Sequence, residues 1–456
     1  MHMLSKSVLL MFLFDFIILS ITSIYTGYHL GLSYAGAMLT AGLIVTAGII
    51  TMFLKGHYKI REFNITKKNA YLLFEGVIFA HVPAALLLLI LANWIFTLWF
   101  LVKNILIVYI FMYLYRAMFH YYLFYIKKPK NVLIVGTNKN AKLIAEEIIN
   151  KKALKMNVAG FWEDNQPEDE MNFDTDLKVF RHSQDLKDII KTEKIDIVIV
   201  AVTRRMEDTL LSKMVFGIPN RIKVYKMPDF YEMVTGKYFV DRMSINWLFY
   251  TYMNKRSYVY KFCKRAYDII AASIILTVTF PILLYIAIRV KLTDGGNPVY
   301  TQMRIGRGGK HFKMYKLRTM YMNDYVPKEG KVADTGDQDK DDRVIPFCKF
   351  VRRARFDEIP QMINILKGEM SIVGPRTEWE DLVKIYSKEI PYYTCRQWVK
   401  TGWTGWAQIN QGHCVLNDDI AEKLQYDLYY LKHRNVLWEI GILIKAVFLA
   451  LGGRHG

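Results

Sequence analysis

Two adjacent carboxylates, Asp357 and Glu358, follow a run of cations, Arg352-Arg353-Ala354-Arg355, and precede Pro360; Gly374-Pro375-Arg376 comes soon after. Carboxylates set among arginines can bind Mg²⁺ and attack phosphorus while guanidinium groups hold phosphate oxygens. The same string also reads as a helix start, with Asp357 as cap, Glu358 as first-turn acid and Pro360 in the first turn. The surrounding cation excess and the second Gly-Pro-Arg element favour phosphate chemistry, because a cap needs neither. Upstream, residues 256–320 carry twelve Lys/Arg against two acids, Asp268 and Asp294. Within them, residues 298–320 read as two short strands around the Gly306–Gly309 turn. Glycines with Arg/Lys describe an anion-binding loop, or else a solvated hairpin.

These residues need elements to hold them, and the nearest is the uncharged run 269–288, with Lys264-Arg265 before it and Arg289 and Lys291 after it. A spanning helix of that length would carry a strongly basic segment outside, against the positive-inside bias. Pro281 offers the alternative of a helix that enters one leaflet, bends and returns to the same face. The apolar segment 436–451, with Trp438, Glu439 and Lys445, is expected along the interface or against that helix, a fifth span being the alternative.

The N-terminal third reads as membrane. Runs at 8–24, 32–54, 71–93 and about 97–125 have bilayer-spanning length. The first lacks a cleavage site and is read as a retained anchor. Between the second and third lie Lys55, Lys59, Arg61, Lys67 and Lys68 with one acid, Glu62, while loops 25–31 and 94–96 carry no formal charge, so both termini are expected on the cytoplasmic side. Asp15, Glu75 and His81 sit inside spans without a partner evident in the sequence, and do not make a transport path.

After Lys127, Lys128 and Lys130 the pattern becomes α/β. NVLIVGTNKNAKLIAEEIIN reads as strand, glycine turn and helix, and IDIVIVAV at 195–202 as a buried parallel strand. Dinucleotide binding wants Gly-x-Gly-x-x-Gly, yet only Gly136 is present, with Asn138 and Ala141 at the later positions. A structural or regulatory module is expected rather than an NAD site.

At 456 residues, 52% hydrophobic, 23% charged and +19 net, the chain is too long for one soluble domain and too apolar for a disordered one. The positive excess fits anionic lipid or phosphate substrates. A nucleic-acid binder is disfavoured, since aromatic interleaving across 304–318 is too sparse for a stacking platform. Cys263, Cys348, Cys395 and Cys414 form no CxxC pair, so neither a zinc site nor a disulfide framework is indicated.

From about Lys264 onward the chain resembles the bacterial sugar transferase family, the monotopic polyprenyl-phosphate phosphoglycosyl transferases. The matching elements are Lys264-Arg265-x-x-Asp268 before the apolar run with Pro281, Gln302-x-Arg304-x-Gly306 and Phe312-x-x-Tyr315-Lys316-x-Arg318-Thr319-Met320. They continue through Asp357-Glu358-x-Pro360-Gln361, Gly368-x-Met370-Ser371-x-Val373-Gly374-Pro375-Arg376, Thr404-Gly405-x-Ala407-Gln408 and Tyr426-Asp427-x-Tyr429-Tyr430. The layout resembles that of large family members.

The resemblance implies a fold class: an α-helical membrane domain of four spans (1–126), a Rossmann-like α/β domain (127–255) and a C-terminal α/β monotopic catalytic domain (256–456) with a re-entrant helix at 265–291. It implies transfer of a hexose-1-phosphate from a UDP-sugar to undecaprenyl phosphate with release of UMP, the first membrane step of a surface glycan. Asp357 is then the nucleophile that forms a covalent phospho-sugar intermediate, and Glu358, with Asp357, holds Mg²⁺. Arg352, Arg376, Lys316 and Arg318 are implied phosphate ligands, and Gln408 and Asn410 nucleotide-sugar contacts. Membrane lipids, a homodimer and the cytoplasmic face of the bacterial inner membrane complete the expectation.

Three positions depart from the family pattern: Phe280 stands where a serine often precedes the proline, Thr377 follows Arg376 in place of proline, and Thr401 opens Thr401-Gly402-Trp403-Thr404-Gly405 in place of proline. They bear on sugar specificity and loop rigidity more than on the reaction. The competing function is a membrane-anchored nucleotide-sensing regulator without turnover, resting on residues 131–202.

Overall fold

The computed structural model describes residues 6–54, 57–58, 67–122, 128–151, 154–162, 177–181, 186–202, 221–240, 257–321, 343–411 and 417–451. Lys55, Lys59, Arg61, Glu62 and Cys414, which entered the expectations above, lie outside them. The chain divides into two compact units, Met1–Thr235 and Gly236–Gly456.

The first unit opens with four helices, α1 (Lys6–His29), α2 (Tyr34–Leu54), α3 (Lys67–Leu91) and α4 (Trp94–Tyr121). All four are long and apolar enough to cross a membrane. Their interior corrects one expectation, because the ionisable residues do have partners. Asp15 forms a salt bridge of 2.7 Å with Arg116, both side chains being fully buried. It also accepts from Tyr58 Oη at 2.6 Å and from Tyr115 Oη. His81 Nε2 lies 3.1 Å from Asn104 Nδ2, which also donates to Ser23 Oγ at 2.9 Å. An unpaired charge in an apolar interior is costly, so such nodes fix which helix faces meet.

The same unit continues into a five-stranded parallel sheet: β1 (Lys130–Val135), β2 (Met156–Trp162), β3 (Val179–Phe180), β4 (Ile197–Val200) and β5 (Lys223–Lys226), in the order β3-β2-β1-β4-β5. This follows the Rossmann order 3-2-1-4-5-6 through its first five strands. Val132–Val135 and Ile197–Val200 are buried throughout, which is why both read as continuous apolar runs. Helices α5 (Lys139–Asn150), α6 (Leu186–Thr192) and α7 (Met227–Thr235) accompany the sheet.

The second unit begins at Gly236, earlier than the boundary expected from sequence. Tyr238 N donates to Gln425 O at 2.9 Å, and Trp406 Nε1 to Gly236 O at 2.9 Å, so this stretch folds with the C-terminal residues. Its longest element, α8 (Tyr258–Asp294), runs through Pro281 without a break. Helical structure thus continues across that proline. Ala272 on one side of Pro281 and Leu283, Ile286 and Val290 on the other are buried in one hydrophobic cluster, and this packing offsets the ~3 kcal/mol that an interior proline costs. Both ends of the helix are tied to the same unit. Asp268 Oδ1 accepts from Ile372 N and Ser371 Oγ, each at 3.0 Å, and Asp294 pairs with Arg318. Ile270, Ile274, Val278, Phe280 and Leu284 remain exposed along its middle.

The remaining elements are an antiparallel hairpin, β6 (Val299–Ile305) and β7 (His311–Leu317), then α9 (Cys348–Arg353), α10 (Gln361–Lys367), β8 (Ser371–Val373), α11 (Glu380–Glu389), β9 (Gly402–Thr404), α12 (Asn417–His433) and α13 (Val436–Leu451). At 16 residues α13 is about 24 Å long, short of a bilayer core. Its buried Glu439 takes Lys264 Nζ at 2.7 Å, Tyr260 Oη at 2.9 Å and Tyr430 Oη at 2.8 Å, which fastens α13 against α8.

Candidate active site

Asp357 and Glu358 lie in a 3-10 turn, Phe356–Glu358, between α9 and α10. The residue before the turn, Arg355, has φ +57°, a left-handed conformation that a long side chain adopts at a cost and that recurs at functional sites. It turns the chain so that the two acids enter a shell of cations from separate parts of the chain. Glu358 Oε1 is 3.0 Å from Arg376 Nη2 and 3.3 Å from Lys316 Nζ, while Oε2 has a longer approach of 3.8 Å to Arg355 Nη1.

The electrostatics separate the two acids. Burial works against ionisation of Glu358, but Arg376, Lys316 and Arg355 outweigh it and hold the carboxyl well below the usual range. Asp357 is pushed up to about 6 by burial and by the Glu358 charge, with Lys316 and Arg352 only partly compensating. One acid is therefore a fixed anion and its neighbour a carboxylate crowded by it. Arg352 contributes a second observation, since its Nη1 is buried with no hydrogen-bond partner among the described residues. A buried donor left without an acceptor is what a phosphate oxygen would satisfy.

Sequence reading missed the residues that hold this arrangement. Asn364, fully buried on α10, donates from Nδ2 to Lys313 O at 2.6 Å and accepts at Oδ1 from Tyr315 N at 3.1 Å. It thereby sets β7, and so Lys316, against the acid-bearing turn. Arg396 Nη2 donates to Arg376 O at 3.0 Å and pairs with Asp427 at 2.8 Å. Arg396 Nη1 and Lys423 Nζ also meet Glu378. Beside this network, Arg304, Lys316, Gln361, Arg376, Glu378 and Trp379 line a cleft of about 160 Å³. Arg304 lies over the Trp379 ring at 5.2 Å, and its Nε has no hydrogen-bond partner among the described residues. The Gln-x-Arg-x-Gly spacing around Arg304 was the one signal that could have placed it here.

The Gly374-Pro375-Arg376 element is positioned by backbone packed against backbone. β8 and β9 pair in parallel, and β-carbons at Gly374, Gly402 or Gly405 would collide with main-chain atoms of the facing segment. This close approach accounts for the glycines in both motifs and delivers Arg376 to Glu358.

Arg318 is not delivered to the acids. Its guanidinium is spent on both carboxylate oxygens of Asp294, with Nε donating to Asn297 O at 2.8 Å and Nη1 to Met320 O at 3.2 Å. The expectation of a phosphate ligand gives way to a clamp that closes the end of α8 onto β7. Asn410 is also engaged elsewhere, donating to Trp406 O at 2.8 Å and accepting from Lys445 Nζ at 2.9 Å. Gln408 packs by Gly405 with its Oε1 buried and lacking a hydrogen-bond partner among the described residues. Neither is among the described residues that line the cleft.

No cluster of three or more His, Cys, Asp or Glu occurs among the described residues. Mg²⁺ does not require one, because it binds through one or two carboxylates plus waters and substrate phosphates. Asp357 and Glu358 fit that donor set: both are hard oxygen ligands, and among the described residues Glu358 Oε2 has only the long approach to Arg355. Among the described residues, Cys263, Cys348 and Cys395 are free thiols.

In the parallel-sheet domain, two backbone donors at the start of α5, where a nucleotide phosphate would approach, are taken by the chain itself. Asn138 Oδ1 accepts from Asn140 N at 3.0 Å and Ala141 N at 3.1 Å, and its Nδ2 donates to Ala201 O at 2.6 Å. The N-terminal donors of α5 are thus capped by a side chain.

Comparison with known proteins gives two family matches. The bacterial sugar transferase family matches residues 259–453, and a CoA-binding domain family matches residues 54–215. A UDP-N-acetylgalactosamine-undecaprenyl-phosphate N-acetylgalactosaminephosphotransferase of Aeromonas hydrophila is 36% identical over 232 residues, 51% of this chain and 53% of that protein. The UDP-glucose:undecaprenyl-phosphate glucose-1-phosphate transferase of Escherichia coli is 31% identical over 320 residues, 70% of this chain and 67% of its own length. The undecaprenyl-phosphate galactose phosphotransferase of Salmonella typhimurium is 27% identical over 336 residues, 71% of this chain and 68% of its own. The chain thus spans about half the length of the Aeromonas relative and two thirds of the other two. Together with the Asp357–Glu358–Arg376 geometry inside the matched segment, this similarity establishes that the chain belongs to the bacterial sugar transferase family.

Proposed function

We propose that the protein transfers a hexose-1-phosphate from a UDP-sugar to undecaprenyl phosphate at the cytoplasmic face of the bacterial inner membrane, as the first membrane step of a surface glycan. The observation that carries this reading is the cation shell on adjacent acids, with Arg376 and Lys316 on Glu358 and an unpaired Arg352 nitrogen whose charge acts on Asp357. Names of relatives supply the substrate class: UDP-N-acetylgalactosamine or UDP-glucose as donor, with undecaprenyl phosphate as the common lipid acceptor.

In this reading an Asp357 carboxylate oxygen attacks the sugar-bearing phosphorus of the diphosphate. The bond from that phosphorus to the bridging oxygen breaks, and UMP leaves with the oxygen. A phosphate oxygen of undecaprenyl phosphate then attacks the same phosphorus and returns Asp357 to its carboxylate. Splitting the transfer lets one site serve two bulky phosphates in turn. Arg376, Lys316, Arg352 and Arg304 orient the diphosphate and offset the charge that develops on its oxygens. Mg²⁺, held by Asp357 and Glu358, would add Lewis-acid neutralisation of the same charge.

Helix α8 bears on the membrane topology. Both of its ends are tied to one unit while apolar side chains along its middle are exposed. This favours a segment that dips into the near leaflet and leaves the site at the surface, rather than one that crosses. The regulator alternative is weakened by Asn138, which occupies the donors a nucleotide phosphate would need.

The test is UMP release from UDP-hexoses by detergent-solubilised full-length protein with undecaprenyl phosphate and Mg²⁺, comparing wild type with Asp357→Asn. Wild-type turnover that the substitution abolishes, with labelled sugar retained on wild-type protein when acceptor is omitted, is the expected result. Turnover indifferent to the substitution would make Asp357 a helix cap and remove the nucleophile.

A further inference from the structure

The Gly306–Gly309 loop looked like an anion-binding loop in sequence, yet Arg307 takes no part in the Asp357–Glu358 site described above. Its 3-10 turn, Arg307–Gly309, instead lies by the segment that leads to Lys400, with Gln397 Oε1 3.8 Å from where a β-carbon on Gly309 would sit. Lys400 is half-buried and has no carboxylate partner among the described residues. A β-carbon at Gly368 would fall 3.5 Å from both Lys400 Nζ and Arg265 Nη2, so two cations converge on one bare stretch of backbone.

Arg265 is held rigidly there, donating to Ile365 O at 2.6 Å and Leu366 O at 2.7 Å. The nearby acids are already committed. Asp268 takes Lys264 Nζ at 2.9 Å, Ser371 Oγ and Ile372 N, and Glu439 takes Lys264 at 2.7 Å. Three cations, Lys264, Arg265 and Lys400, thus gather against two spoken-for carboxylates, with the turn that carries Arg307 beside them. Burial, then Arg265, push the Lys400 ammonium down; Asp268 opposes, and Arg307 and Lys264 add to the depression. A cation folded into such company without an acceptor is stabilised when an anion arrives.

The position specifies the kind of anion. Lys264 and Arg265 stand one turn before the exposed apolar face that begins at Ile269 and Ile270 and continues through Ile274 and Val278. Basic groups at the foot of such a face sit at headgroup depth in a bilayer.

We propose that Lys400, Arg265 and Arg307 form a second phosphate-binding site, separate from the Asp357–Glu358 cleft, that receives the phosphate of an amphiphile at the membrane surface. Two amphiphiles share that chemistry: an anionic phospholipid and a polyprenyl phosphate. The site's existence does not depend on the transferase reading, because phosphate binding requires no turnover.

The experiment uses full-length protein in phosphatidylcholine nanodiscs doped with phosphatidylglycerol or with undecaprenyl phosphate, reading bound lipid by native mass spectrometry. Wild type is expected to retain one of these lipids, Lys400→Gln and Arg307→Gln to weaken its retention about tenfold each, and Lys400→Arg to restore it. Retention is read with no UDP-sugar present, so it reports binding alone and separates this site from the catalytic reading. Lys400-dependent retention of phosphatidylglycerol alone identifies a headgroup site. Lys400-dependent retention of undecaprenyl phosphate, with a raised KM for it and unchanged kcat, identifies an acceptor-holding site. Equal retention of both lipids by wild type, Lys400→Gln and Arg307→Gln, with melting temperatures within a degree or so, overturns the proposal.

Discussion

Arg376 Nη2 lies 3.0 Å from Glu358 Oε1, and the carbonyl of the same arginine accepts from Arg396 Nη2 at 3.0 Å. The guanidinium that charges the site is thus steered from behind by a second guanidinium, itself anchored on Asp427 of α12. Removing Arg376 leaves Glu358 with Lys316 and the more distant Arg355. Arg376→Ala is expected to lower kcat for UMP release by about 10²–10³-fold, the range for deleting one preorganised charge-stabilising donor. Arg376→Lys is expected to recover part of this loss, because a point charge lacks the planar fork. Steady-state kinetics with each variant check both statements.

Asp357 must be ionised to attack, and it is pushed up to about 6 by burial and Glu358. Turnover is therefore expected to fall with slope one as pH drops through about 6. In Arg352→Gln the limb should move to higher pH, by about a unit at most, because a cation that favours the carboxylate is gone. A pH profile of kcat in each protein measures it.

The same shift has a stability consequence of opposite sign to the usual acid. The folded state holds the Asp357 proton more tightly than the unfolded chain, so this group's contribution declines as pH rises from about 4 to about 6. Asp357→Asn should then melt higher than wild type at pH 7–8, with the difference vanishing near pH 3. Glu358 runs the other way: its depressed carboxyl contributes stability above its unfolded value that is lost as pH falls below about 4.5. Thermal melts against pH separate the two.

Lys316 and Arg318 are two residues apart on the same strand end but do different work. Lys316 faces Glu358, while Arg318 grips Asp294. Lys316→Gln is expected to cut kcat with little change in melting temperature. Arg318→Gln should lower the melting temperature by breaking a largely buried pair, with KM for donor nearly unchanged in whatever protein remains folded. Parallel melts and kinetics on the two variants decide it.

Gly402→Ala is expected to cost more than a typical glycine substitution. A β-carbon there meets Gly374 main-chain atoms, so β8 and β9 must part and Arg376 must move with them. A loss of at least about 2 kcal/mol follows if strain of this kind is not relieved. Detergent-resistant folding and melting temperature report it. An unchanged melt would mean that the two strands separate freely.

By itself the sequence determined the local features. Continuous apolar runs marked the four N-terminal helices long and apolar enough to cross a membrane, and the buried strands, because length and hydropathy are properties of contiguous residues. Asp357-Glu358 with its arginines, and the glycines of both Gly-rich motifs, carried the candidate chemistry, since those residue types act through their immediate neighbours. The tertiary structure decided which distant charges meet. Arg116 neutralises Asp15 from 101 residues away, Lys316 reaches Glu358 across 42, and Arg318 is taken by Asp294 across 24. Charge type is readable in one dimension, but pairing depends on which faces of separate elements pack together. The path of α8 has the same origin. Proline chemistry favours a bend at Pro281, and only the common core that buries Ala272 on one side and Leu283, Ile286 and Val290 on the other keeps the helix continuous.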